Sequence, residues 1–203
     1  VFSGGLLAEK PFERLSDFFP SLGTSLGSWA ARLLFASVSA SLTLPAGNVF
    51  NHVCDLDTYR INTPHRPLPA RILTQTEAVV FAALLSFIGL LLALPLGVTE
   101  TIIALSCVLI LIFYDLTLKR IPLAGNLAVA FLGGLAFIYG GIAGFSSLQS
   151  IVPALFAFLF HLGRELVKDA ADISGDSLSG IRTAATVWGT RTALVLSGIV
   201  FAA

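Results

Sequence analysis

From Ile121 to Gly163 the chain contains no Asp, Glu, Lys or Arg. A crossing of the bilayer core takes about 20 apolar residues, so this stretch is too long for one helix. The Ser146, Ser147, Leu148, Gln149, Ser150 cluster divides it into two. Composition agrees: 56% of the 203 residues are hydrophobic, 12% are charged and mean hydropathy is +0.89. A soluble domain carries about twice that share of charge, so a polar surface could not be tiled from what is here. The balance of 12 basic and 12 acidic side chains excludes a nucleic-acid binder working through a basic surface. Disorder and low-complexity polymers are excluded by the same apolar content.

The expected fold is all-α, a multi-pass transmembrane helix bundle forming a single domain over residues 1–203. A β-barrel would need alternating polarity, which is absent. The spans fall at about 29–51, 78–96, 97–114, 122–145 and 151–163, with another starting at 192–203. Val1 to Ala8 reads as the tail of an earlier apolar segment and Glu9 to Ser28 as a polar connection, so the chain is expected to be incomplete at both ends. The opening residues lack the pattern of a secretory signal. Arg32 is expected to snorkel toward the interface. Gly133, Gly134, Gly140 and Gly141 suit close helix packing. Cys54 and Cys107 have no metal or redox spacing and read as ordinary thiols.

The connections sort by charge. Loops 52–77, 115–120 and 164–191 hold nine of the 12 basic residues, and loops 97–100 and 146–150 hold none. The positive-inside rule puts the first set in the cytoplasm, for a protein expected in the cell membrane. The same loops also hold eight of the 12 acids, which topology signalling does not explain. At 100° per residue, Glu165, Asp169, Asp172 and Asp176 share one helix face within about 60°. Such stacking calls for cations, and hard carboxylate oxygens suit Mg²⁺; the competing reading is a solvated acidic helix end. In the first loop Asn51 and Asp55 are one turn apart, and Pro64, Pro67 and Pro69 impose a stiff extended segment that can hold Arg60 and Arg66 over the carboxylates. Metal on one side and guanidinium forks on the other suit a diphosphate.

At these residues the chain resembles the UbiA superfamily of intramembrane prenyltransferases. Its first signature, NDxxDxxxD followed by an arginine and an RP-containing loop, is matched here by Asn51, His52, Asp55 and Tyr59, then Arg60, Asn62, Pro64, Arg66 and Pro67. Its second, acid-rich signature is matched by Asp169, Asp172, Gly175 and Asp176, followed by Gly180, Arg182 and Thr183. Tyr114, Asp115, Lys119, Arg120, Gly125 and Asn126 resemble the middle loop. The run from Arg164 to Asp176 is most similar to the archaeal-type geranylgeranylglycerol-phosphate geranylgeranyltransferases. Two family acids are replaced, by His52 and Tyr59, and Asp57 is off register; imidazole suits softer metals than Mg²⁺, so His52 is expected to hydrogen-bond.

The resemblance implies nine transmembrane helices, Mg²⁺ as cofactor and transfer of an isoprenyl group, geranylgeranyl in that subfamily, from its diphosphate to a glycerol-phosphate lipid hydroxyl. Asp55, Asp169 and Asp172 are the expected catalytic residues, with Asp176 joining them as metal ligand. Arg60, Arg66, Lys119, Arg120 and Lys168 are expected on the diphosphate, and Asn51, Tyr114, Asn126 and Tyr139 on substrate. The expected partners are an isoprenyl diphosphate, a lipid or aromatic acceptor and membrane lipid, with neither nucleic acid nor an evident protein partner. Competing readings are an aromatic prenyltransferase of quinone, chlorophyll or tocopherol type, a membrane transporter and an inactive paralogue.

Overall fold

The computed structural model describes residues 29–144, 148–178 and 180–202. The expected apolar tail at 1–8, the polar connection at 9–28 and part of the 146–150 divider lie outside them. Helices follow in the order α1 (Trp29–Cys54), α2 (Leu56–Asn62), α3 (Gln75–Ala93), α4 (Val98–Leu116), α5 (Ala124–Ala143), α6 (Ile151–Ala171), α7 (Ile173–Leu178), α8 (Ala184–Trp188) and α9 (Thr190–Ala202). Short 3₁₀ turns at Leu94–Leu96 and Leu118–Arg120 flank α4. No strand occurs among the described residues. Among the described residues four helices are long and apolar enough to cross a membrane: α1, α3 with its 3₁₀ extension, α4 and α5. The fifth, α6, has 21 residues but carries Arg164, Glu165, Lys168 and Asp169 in its last two turns. Lipid-facing phenylalanines such as Phe87 and Phe156 stand 59% and 71% exposed. That is the surface of a multi-pass membrane protein, since hydrocarbon solvates such side chains.

The helix ends differ from expectation for local reasons. Helix α3 starts three residues early because Thr74 and Glu77 form a reciprocal capping box: Thr74 N–H donates to Glu77 Oε2 at 2.8 Å, and Glu77 N–H to Thr74 Oγ1 at 3.2 Å. Glu77 is thus a cap, not a loop acid. Gly97, at φ +141°, makes the turn into α4. Helix α6 runs on from Gly163 to Ala171, so the fifth span carries Glu165 and Asp169, but the expected single acidic helix face ends there: Asp172 caps α6 and Asp176 lies on α7.

Small residues set the packing. Ser39 Oγ donates to the Gly89 carbonyl at 2.7 Å, and a Cβ on Gly89 would lie 2.6 Å from Thr43 Oγ1, which locks α1 against α3. A Cβ on Gly134 would lie 2.9 Å from the Ala154 carbonyl of α6. The small-residue expectation fails at Gly140, where a Cβ would meet nothing.

Arg32 corrects another expectation. It does not snorkel: at 6% exposure it pairs with Glu100 at 2.5 Å and donates from Nε to the Ala143 carbonyl at 3.0 Å. That carbonyl ends α5 and has no intrahelical donor, so a guanidinium there meets both a carboxylate and a helix C-terminus. The up-and-down order places this ion pair at one end of the bundle. The ends of α1, α4 and α6 and the start of α5 gather at the other.

Candidate active site

At that second end a cavity of about 320 Å³ opens. One wall is acidic. Asp169 Oδ2 accepts from Asn126 Nδ2 at 3.0 Å and from the Ala184 N–H at 3.3 Å. At Asp172 the helix bends, and the Asp176 N–H donates to the Asp172 carbonyl at 3.0 Å, so the chain resumes a helical turn with Asp176 still on the cavity wall. Burial, reinforced by the charges of Asp169 and Asp172, pushes the Asp176 carboxyl up to about 6.

The facing wall is a network built on α1 and the middle loop. Lys119 Nζ donates to Asp55 Oδ1 at 2.6 Å and lies 3.6 Å from Asp115 Oδ1. Asn51 Nδ2 donates to Asp55 Oδ2 at 3.0 Å and to Asp115 Oδ1 at 2.5 Å. Gly125 permits this arrangement, because a Cβ there would come within 3.0 Å of Lys119 Cα. Above the network sits Arg66. Its Nη1 donates to His52 Nε2 at 2.9 Å, and its guanidinium lies 4.7 Å from the Tyr59 ring centroid. That contact leaves His52 Nε2 as acceptor. The two residues that replace family acids therefore hold an arginine over the cavity.

The cavity brings together Asn51, Asp55, Arg66, Tyr114, Lys119, Asn126, Lys168, Asp169, Asp172 and Asp176. Three expected residues are elsewhere. Arg60 is half exposed and pairs with Asp57 at 2.7 Å, on the side of α2 away from the cavity wall. Arg120 is exposed, because successive residues of a 3₁₀ turn point about 120° apart and Lys119 takes the inward direction. Tyr139 is buried among α1, α4 and α5 with its hydroxyl on Ser39 Oγ at 3.2 Å. It lies 13 positions along α5 from Asn126, about 20 Å at 1.5 Å per residue, too far to reach the charged cavity.

Among the other wall residues Thr63 was not singled out from the sequence, whereas Glu165 and Thr183 were, in the acidic face and the second signature. Thr63 Oγ1 is a buried hydroxyl with no partner among the described residues, and Thr63 lines the cavity. Its position immediately before Pro64, which restricts its backbone, was the available signal. Glu165 also lines it, as does Thr183, the N-cap of α8.

A second cavity of about 480 Å³ continues from the first into the bundle and shares Asn51, Tyr114, Glu165 and Lys168 with it. Its deeper wall is apolar, including Leu111, Leu132, Ala136 and Phe137. A charged mouth thus leads to a greasy gallery, a shape for a ligand with an anionic head and a hydrocarbon tail.

The donor set fits Mg²⁺. Among the described residues no three acidic, His or Cys side chains form a ready-made metal cage. Mg²⁺ needs none, since it binds through one or two carboxylates and completes its octahedron with water and phosphate oxygens. Asp169, Asp172 and Asp176 offer such oxygens beside open space.

The comparisons with known proteins agree with this geometry. The digeranylgeranylglyceryl phosphate synthase of Sulfurisphaera tokodaii is 34% identical over 172 residues, 83% of this chain and 62% of that one. The synthase of Methanoculleus marisnigri is 39% identical over 160 residues, 78% of this chain and 57% of that one. The chain therefore spans about three-fifths of the length of these relatives. A solved structure reported for digeranylgeranylglyceryl phosphate synthase in membranes superposes with a TM-score of 0.69 at 32% identity, covering 82% of this chain and 60% of that one. A UbiA homologue from Archaeoglobus fulgidus, bound to GPP and Mg²⁺, gives 0.67 at 17% identity, with 85% and 62% covered, and supports the fold. The profile of the UbiA prenyltransferase family matches residues 21–203, nearly the whole chain, and the chain belongs to that family.

Proposed function

We propose that this protein catalyses Mg²⁺-dependent transfer of a geranylgeranyl group from its diphosphate to the hydroxyl of a glycerol-phosphate lipid, a step of ether-lipid synthesis. The observation that carries the reading is the cavity with carboxylates on one wall and Arg66, Lys119 and Lys168 on the others, continuous with an apolar gallery. The names of the relatives supply the choice of acceptor. The sorting of charge among the loops supports a site facing the cytoplasm from the cell membrane.

In this reading Asp169 and Asp172, helped by Asp176, hold the metal, and Asp55 faces them with Asn51. Bound Mg²⁺ supplies Lewis-acid stabilisation of the diphosphate leaving group. Arg66 offers a planar fork already fixed by His52 and Tyr59, so it meets phosphate oxygens with little ordering cost. Lys119 exchanges Asp55 for a diphosphate oxygen, and Thr63 Oγ1 gives a hydroxyl to another. Lys168 stands at the neck between the cavities. The gallery takes the isoprenyl tail and keeps water from the allylic carbon as it gains positive charge.

The test uses the full-length protein in membranes with radiolabelled geranylgeranyl diphosphate. It is offered either geranylgeranylglycerol phosphate or an aromatic acid, with Mg²⁺ or with a chelator. Label should enter the glycerol lipid, and only with Mg²⁺. Labelling of the aromatic acid alone would overturn the acceptor, and transfer unaffected by chelation would overturn the metal.

A further inference from the structure

Four residues, Asn51, Tyr114, Glu165 and Lys168, line both the charged cavity and the gallery. Given the function proposed above, on which this inference rests, the reacting carbon lies at that neck, where diphosphate ends and hydrocarbon begins. Transfer to a hydroxyl releases a proton there, and a group must receive it. Asn51 is an amide engaged with Asp55, Asp115 and Tyr59. Tyr114 is a phenol and Lys168 a cation. Glu165 alone of the four is a base.

Its surroundings suit that task. Glu165 is 6% exposed, held on the wall by Arg164, whose Nη1 donates to Oε1 at 2.6 Å. Oε2 lies 3.7 Å from Lys168 Nζ, beyond hydrogen-bond reach, and accepts no hydrogen bond among the described residues. Arg164 lines the gallery and Lys168 both cavities, so the carboxylate is neutralised by cations on its own wall while one oxygen keeps its lone pairs. The other acids are engaged differently: Asp55 and Asp115 by Lys119 and Asn51, and Asp169, Asp172 and Asp176 on the metal wall. His161, one turn deeper on α6, lines the gallery but not the charged cavity.

We propose that Glu165 receives the acceptor's hydroxyl proton. The bond from the allylic carbon to the diphosphate oxygen breaks and its electron pair leaves with diphosphate. A lone pair of the acceptor oxygen forms the new carbon–oxygen bond, and the O–H proton passes to Glu165 Oε2. Arg164 is a positioning residue that orients the carboxylate.

The test measures ether formation and, separately, equilibrium binding of labelled geranylgeranyl diphosphate with Mg²⁺ in the full-length protein. Glu165→Gln keeps shape and removes the base, so kcat for ether formation should fall by about 10²- to 10⁴-fold, with diphosphate binding held within about threefold. Glu165→Asp keeps the charge but shortens its reach, and should bind normally with an intermediate kcat. If Glu165→Gln forms ether at the wild-type rate, or if both variants lose binding in step with turnover, Glu165 is not the proton acceptor. If the wild-type protein ionises the diphosphate but forms no ether with the glycerol lipid, the functional reading fails, and this role fails with it.

Discussion

The two ends of the bundle treat charge in opposite ways. At one end Arg32 and Glu100 are sealed together, with side chains 7% and 5% exposed and a helix-terminal carbonyl completing the guanidinium's partners. At the other end carboxylates and cations line open walls, Thr63 Oγ1 has no partner among the described residues, and Glu165 Oε2 meets the Lys168 ammonium only at 3.7 Å, beyond hydrogen-bond reach. A closed pair has nothing left to offer a ligand and serves the fold. An open set is costly in the empty protein and, under the function proposed above, becomes complementary when a metal and a diphosphate arrive. The difference separates charges that hold helices together from charges that wait for substrate.

The contrast is breakable at each end. The largest expected effect is on stability at the sealed end. Arg32→Met strands a buried carboxylate and should lower unfolding stability by about 3–5 kcal/mol, followed by thermal unfolding in detergent. Arg32→Met combined with Glu100→Met should recover most of that loss, and failure to recover would mean that the pair is not a self-contained unit. At the open end the signs reverse. Asp169→Asn with Asp172→Asn should cut prenyl transfer by roughly 10²- to 10³-fold in a labelled-substrate assay while leaving the melting temperature equal or higher, because like charges have been removed.

Smaller effects sharpen the comparison. His52→Ala removes one hydrogen bond from Arg66, worth about 1 kcal/mol, so the apparent affinity for the diphosphate should weaken about fivefold with kcat little changed. The smallest concerns pH. Asp176 titrates near 6, raised by burial and by Asp169 and Asp172, so below that pH it carries a proton that Mg²⁺ must displace. The Mg²⁺ concentration for half-maximal transfer should rise about fourfold between pH 7.5 and 5.5, and Asp176→Asn should flatten that dependence.

Legibility from the sequence followed the range of the interaction. The spans were readable because apolar runs of about 20 residues have few other uses, but their ends were not: the Thr74 and Glu77 cap starts α3 early, and α6 runs past Gly163 into charged residues. The acidic wall was readable because Asp169, Asp172 and Asp176 follow one another on a short stretch, even though the helix bends at Asp172. Arg60, Arg120 and Tyr139 were misplaced. Neighbours in sequence point in different directions, and residues on one helix can be about 20 Å apart.

By itself, then, the sequence determined a membrane-embedded helical bundle with its chemistry gathered on one set of loops, because hydropathy and charge sorting are properties of the chain read locally. Which charge meets which was decided by the tertiary structure. Arg32 finds Glu100 across 68 positions, and Lys119 finds Asp55 across 64. Arg66 is held by two residues that, read by position alone, marked a loss of acids. Those pairings depend on how each helix is rotated and how closely small residues let neighbours approach, and neither is written in the period or composition of any single segment.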